Sequence, residues 1–300
     1  MIDGKNPQRH HFVPQFYLRE WYALGCDYFY LYKRNPRKQL HYHERPSKAV
    51  GFETDLYTIN PDGLNFRSTK SHQLEHDFFA LIDSSASLVH QKILTSGIQP
   101  LTEQDRNSWS KFISSLLERS PNRIRQLSEL AATGIEETLA SLKSEMPKMV
   151  ARPTFSAVLS AIDKQALARN LALEKITSAI NDDHFIHGIA SMKWVVITIP
   201  SGEDHFLTGD TPLVVNGGGI KDPIYTLSLA ISPKSLLVIY KDAPEFDDDF
   251  LKILSALHNA VLTNQTQSHL VSSRTLEDGF FMKYRKIAET MLNKNQSILD

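Results

Sequence analysis

The sequence predicts an α+β protein in which a helical middle packs against a mostly antiparallel sheet built from N- and C-terminal strands. Three observations carry this reading. Alternating aromatic runs lie near the N-terminus, apolar residues at helical spacing fill 74–190, and β-branched runs broken by Gly, Asn and Pro return after Trp194. Three hundred residues leave ample chain for a buried core. We read 1–300 as one α+β domain, with any subdivision falling near 146–153.

The densest cluster of imidazole, guanidinium and aromatic groups is 9–21, from Arg9-His10-His11 through Tyr17 and Arg19 to Trp21. Pro14 suits the first turn of a helix, so 10–13 should enter extended and 15–22 should coil. His10 and His11 then point to different sides of the backbone, and one function cannot easily use both. Residues 27–32 alternate, 35–38 turn and 39–43 extend again, which predicts a hairpin. A third strand is expected at 55–59, closed by the Asn60-Pro61-Asp62-Gly63 turn.

Leu74, Phe78, Leu81, Ile82, Val89 and Ile93 share one helical face, and Gly97 with Pro100 ends that helix. Thr102 followed by Glu103 and Asp105 signals the next start, with Trp109, Phe112, Ile113, Leu116 and Leu117 on its apolar side. Ser120-Pro121-Asn122 interrupts it. A helix over about 122–143, a connector at 146–153 and a largely helical 161–190 complete the middle. The strands then return at 194–199, 206–208, 213–215, 224–231 and 236–240, before a helix over 247–264.

With 33 basic and 34 acidic residues the net charge is −1, so no global field favours nucleic acid or an anionic membrane. Cys26 is the only cysteine, which excludes an intrachain disulfide and a Cys-based zinc site. No apolar run follows Met1, and no window approaches the roughly 18 apolar residues that span a bilayer. The expectation is a soluble, cytoplasmic protein with no membrane association.

The opening resembles an uncharacterised bacterial domain-of-unknown-function family whose members begin His-His-x-Val-Pro-x-x-Tyr-Leu-Arg, here His10, His11, Val13, Pro14, Tyr17, Leu18 and Arg19. Further positions similar to that family are Glu75, Asp83, Arg119 with Pro121, Trp194, Thr208-Gly209-Asp210-Thr211-Pro212, Ser232-Pro233 and Asn264. Two departures stand out. The family tends to place a second Glu one heptad after the first, whereas Asp83 lies eight residues on, about 80° round a regular helix. It also tends to have a proline where Ala230 stands.

Asp210 ends a strand at a Gly-containing turn, and Pro212 restricts Thr211, so the carboxylate is held at a loop where sites commonly form. The plain alternative is an Asx-turn bonding nearby backbone. Arg119, Arg123 and Arg125 would suit phosphate oxygens through their planar guanidinium groups, although a solvated charged face explains the last two as well. Arg119 is equally readable as a buried ion-pair partner for Glu75 or Asp210. His41 with His43, His184 with His187, and His72 with His76 have spacings that would need a third ligand to hold a metal. Gly217-Gly218-Gly219 lacks the Lys-Ser/Thr of a phosphate-binding loop and reads as a hairpin end.

These residues define one functional expectation and its rival. The first is a hydrolase or nuclease acting on a phosphodiester or nucleotide-like substrate, in bacterial defence. His10 or His11 would be the general acid or base, Asp210 with Glu75 would bind a divalent metal or activate water, and Arg119, Asn264 and Tyr17 would hold the anion. The rival is a non-catalytic recognition or scaffold module in which the same His, Asp and Arg groups form a structural network. Side chains that converge on an open cleft favour the first, and side chains saturated by one another favour the second.

Overall fold

A computed structural model of the chain describes residues 8–33, 41–60, 74–150, 152–199, 205–241, 248–277, 279–280, 282–284 and 286. The turn expected at 35–38, residues 61–63 of the second turn and His72 lie outside them. Strand β1 (Arg9–His11) leads to Pro14, which is extended at φ −64° and starts α1 (Gln15–Leu18); the coil then tightens to 3-10 geometry over Arg19–Trp21. β2 (Phe29–Lys33) and β3 (Tyr42–Arg45) pair antiparallel as the predicted hairpin. β4 (Phe52–Thr54) pairs with β1.

The third strand expected at 55–59 does not form. Asp55 adopts a left-handed φ of 56° and turns the chain. The carbonyls that a ladder would use are taken by side chains: the Arg169 guanidinium donates to Asp55 O at 3.1 Å and Leu56 O at 2.9 Å. Asn170 brackets Asn60 through both main-chain groups, at 2.7 and 3.0 Å. The apolar residues of this stretch, Leu56, Tyr57 and Ile59, are buried nonetheless. Alternation alone therefore misread a pinned loop as a strand.

A π-helical turn over Leu74–Phe79 precedes α2 (Ala80–Ser96). That wider turn shifts the phase, so the 80° angle expected between Glu75 and Asp83 does not apply. α3 (Glu103–Glu118) is capped as predicted, with Asp105 N donating to Thr102 Oγ1 at 3.1 Å and Thr102 N donating back to the Asp105 carboxylate at 3.0 Å. Ser120 caps α4 (Pro121–Glu145), with Pro121 in its first turn. The connector holds two short helices, α5 (Pro147–Val150) and the start of α6 (Pro153–Ala161), each opened by proline. α7 (Lys164–Ile180) is capped by Asp163, and α8 (Asp183–Ser191) follows.

The last third supplies β5 (Lys193–Thr198), β6 (Thr208–Gly209), β7 (Leu213–Asn216), β8 (Thr226–Ser232) and β9 (Ser235–Tyr240), then α9 (Asp248–Gln265) and β10 (His269–Ser272). Two antiparallel sheets result, in the orders β3-β2-β10-β6 and β5-β9-β8-β7. The first joins the N-terminal hairpin to C-terminal strands, because β10 pairs with β2. A register shift between Ala230 and Ser232 marks a bulge in β8. Among the described residues no helix is long and apolar enough to cross a membrane.

By its internal contacts the chain divides into two compact units. The first comprises Met1–His10, Glu53–Ile82 and Leu117–Asp182, and the second His11–Phe52, Asp83–Leu116 and Asp183–Asp300. In the first, α4 packs along α7, and Tyr57, Phe79, Ile124, Leu173 and Ile176 are buried. In the second, both four-stranded sheets share the unit with α3, α8 and α9. Tyr32, Leu207, Val214, Leu262, Leu270 and Phe280 form one apolar cluster there. The 146–153 connector lies inside the first unit.

Candidate functional site

Three of the predicted site residues belong to the first unit: His10, Glu75 and Arg119. Tyr57 ties two of them together. Its ring stacks on His10 at 5.6 Å with 5° between planes, its N–H donates to His10 Nδ1 at 2.8 Å, and its hydroxyl donates to Arg119 O at 2.9 Å. Because Nδ1 accepts that N–H, the ring proton of neutral His10 must sit on Nε2. The Arg119 guanidinium lies 5.8 Å over Phe79, and Phe79 is 4.3 Å from Tyr57. His10 and Arg119 are both fully buried, whereas Glu75 is half-buried in the π-helical turn. Arg123 and Arg125 are exposed or half-exposed and reach Glu118 at 2.9 Å and Glu53 at 3.5 Å, which fits a solvated charged face.

The other four, His11, Tyr17, Asp210 and Asn264, belong to the second unit. The His11 ring is tilted 55° to Phe52, with centroids 5.7 Å apart. The Tyr17 hydroxyl donates to Ala230 O at 2.7 Å and bonds the Thr208 hydroxyl at 2.8 Å, while Trp21 Nε1 donates to Phe206 O at 3.1 Å. Burial drives the Tyr17 hydroxyl far above the usual tyrosine range, and the Thr208 bond only partly opposes it. Tyr17 thus fastens α1 to β6 and β8 through its hydroxyl.

The Asp210 carboxylate accepts three main-chain N–H groups, from Gln267 at 3.1 Å, Ser268 at 2.6 Å and His269 at 3.3 Å. It does cap backbone, but of the turn between α9 and β10, not of its own neighbours. Gly209 makes this possible, because a Cβ there would lie 2.6 Å from His269 O and 2.9 Å from Thr266 Oγ1. Gln265 completes the junction by donating to Thr211 O at 2.7 Å and Leu213 O at 2.9 Å. Asn264 is exposed on α9, and the asparagine of that helix that reaches inward is Asn259.

Several buried polar residues had no place in the expected site. His90 Nε2 donates to Ile231 O at 2.7 Å, inside a cage of Phe16, Tyr17 and Trp109. Burial pushes it down to about 4, against the pull of the Ile231 carbonyl. His258 bonds Ser228 Oγ at 2.9 Å and is pushed down to about 3 by burial. His90 shares a helical face with Ala86 and Ile93, so its spacing was a usable sign of burial.

His205 and Ser272 form the one pair among these that imitates a nucleophile and its base, at 2.7 Å. The proton positions deny that role. His205 Nδ1 accepts from Arg274 Nε at 2.7 Å, so Nε2 carries the proton and donates to Ser272 Oγ. The Ser272 hydroxyl in turn donates to Arg274 O at 2.5 Å and accepts Arg274 N–H at 3.2 Å. A base must take the serine proton, and here the imidazole gives one. No spacing in the sequence marks this trio, since 67 residues separate His205 from Ser272.

Among the described residues no group of three or more His, Cys, Asp or Glu is placed to hold a metal ion. His41 and His43 are both exposed at the edge of the first sheet, and the Gly217-Gly218-Gly219 end is a hairpin turn in which Gly218 N donates to Asp222 at 2.7 Å. Comparison with curated proteins and with solved structures gave no match. A family model described as "Protein of unknown function (DUF4238)" matches residues 9–273, and the chain belongs to that family.

Proposed function

We propose that this chain is a non-catalytic recognition module whose His, Asp and Arg groups brace the fold. The observation that carries the reading is the state of Asp210. A carboxylate that already accepts three main-chain N–H groups has most of its lone-pair sites committed and holds a turn in place. Tyr17 and the His205–Ser272 pair repeat the pattern, since each gives its polar atoms to main chain or to a closed side-chain ring, and His10 gives its Nδ1 to the Tyr57 N–H. Catalytic acids and bases need an atom left for substrate, in a cleft that substrate enters.

The test is turnover. The purified chain is incubated with bis(p-nitrophenyl) phosphate and with single- and double-stranded DNA and RNA, in Mg2+ and in Mn2+. We expect no product above buffer, and an Asp210→Asn variant that melts well below the wild type. Product that is formed by the wild type and lost in Asp210→Asn and His11→Ala variants of unchanged melting temperature would restore the phosphodiester hydrolase reading in place of this one.

A further inference from the structure

A buried chain of polar side chains in the second unit ends at the surface, and it ends on a cation. Asn259 accepts Leu207 N–H at 3.0 Å and donates to His205 O at 3.0 Å, which fixes the His205 backbone. The His205 ring, 6 % exposed, then holds Arg274 Nε, while Ser272 holds both main-chain groups of Arg274. Burying an imidazole, an amide and a hydroxyl is costly, and all three serve to orient one surface arginine. An ordinary surface arginine keeps its rotamer freedom and must lose it on binding; this one has lost part of it beforehand.

Arg274 lines a cavity of about 420 Å³ together with Leu276, Glu277, Phe280 and Lys283. That volume lies within the roughly 300–1,000 Å³ typical of small-molecule sites. A planar guanidinium suits the paired oxygens of phosphate or carboxylate, and a second cation, Lys283, shifts the preference to a dianion. Leu276 and Phe280 offer apolar surface for an organic body, and Glu277 offers an acceptor for its hydroxyl or amino groups. We infer that this cavity binds a small phosphate monoester of the nucleoside monophosphate type, with Arg274 and Lys283 on the phosphate and His205 positioning Arg274. The inference rests on the recognition reading and names what is recognised.

Calorimetric titration of the whole chain with AMP, inorganic phosphate and adenosine tests it. AMP should bind, phosphate more weakly, and adenosine not measurably. Lys283→Gln should weaken AMP binding about tenfold, and Arg274→Lys by more, because an ammonium cannot keep both the His205 bond and a forked contact. Lys283 is exposed, so its variant keeps its melting temperature and decides the matter if Arg274→Lys fails to fold. His205→Gln, which retains an acceptor for Arg274, should recover most of the affinity that His205→Ala loses. Silence with AMP and phosphate, equal binding of AMP and adenosine, or unchanged affinity in Lys283→Gln would overturn the site and leave the non-catalytic reading standing. Release of adenosine or phosphate from bound AMP would do the reverse.

Discussion

The two units bury their polar groups by different means. The first holds the Arg119 guanidinium fully inside, over Phe79, beside a His10 ring laid flat on Tyr57. The second holds His90 and His258, both driven toward the neutral form by burial, and ties its loops with carboxylate and amide side chains from Asp210, Asn259 and Gln265. An arginine is a cation in any folded protein, whereas an imidazole escapes the cost of burial by giving up its proton. The first interior is built around a buried guanidinium, and the second buries two imidazoles that burial drives toward the neutral form. Acid therefore attacks the second interior through His90 and His258.

That difference yields the largest expected effect. His90 and His258 have folded values of about 4 and about 3, below the usual 6.5 that they regain on unfolding. Between those limits the unfolded chain binds more protons, so stability is full above about 6.5, falls as pH drops below that, and stops falling on account of His90 below about 4 and of His258 below about 3. Urea denaturation followed from neutral pH downward should show a loss of several kcal/mol, and His258→Gln should flatten the lower part of the curve. A variant curve that overlays the wild type would remove the contrast between the units.

Next in size is the opposite probe, aimed at the first unit. Arg119→Ala deletes a fully buried side chain and its contact with Phe79, and should cost about 3 kcal/mol in a urea titration, equally at neutral and mildly acid pH. A loss under 1 kcal/mol (roughly the scale of surface substitutions) would mean that the guanidinium is not the centre of that interior.

Asp210→Ala should cost about 2 kcal/mol, since three N–H groups lose a charged acceptor, and amide hydrogen exchange should quicken at Gln267, Ser268 and His269. Faster exchange elsewhere but not there would contradict the capping role. Tyr17→Phe leaves Ala230 O and Thr208 Oγ1 without the phenol and should cost about 1 kcal/mol by thermal melting. The smallest effect belongs to the Arg125–Glu53 pair on the first unit's surface, 3.5 Å apart with both side chains exposed: Glu53→Gln should change the unfolding free energy from a urea titration by no more than about 0.5 kcal/mol.

Much of the fold was legible because local rules were enough. Pro14 opening α1, Thr102 with Asp105 at the start of α3, and Ser120-Pro121 at the start of α4 each act within one helical turn. The hairpin of β2 and β3 and the buried Ile82, Val89 and Ile93 of α2 follow from side-chain period, whereas Leu81, expected on the same face, is exposed. The 55–59 stretch failed that logic because its hydrogen-bond partners, Arg169 and Asn170, come from more than a hundred residues away. Asp210 shows the same limit at the level of function. Its turn was visible, but whether its carboxylate faced a substrate or a backbone was not.

By itself, then, the sequence determined where several of the helices begin, that N-terminal and C-terminal strands exist, and which polar residues stand out by type and spacing. Only the tertiary structure decided which atoms those residues spend on each other: the Tyr57 N–H on His10, the 267–269 turn on Asp210, and the Asn259–His205–Ser272 path that aims Arg274. The physical reason is one of range. Periodicity and capping are short-range and leave a mark in neighbouring residues, while the proton placement of an imidazole or the saturation of a carboxylate depends on partners that meet only when the chain is folded.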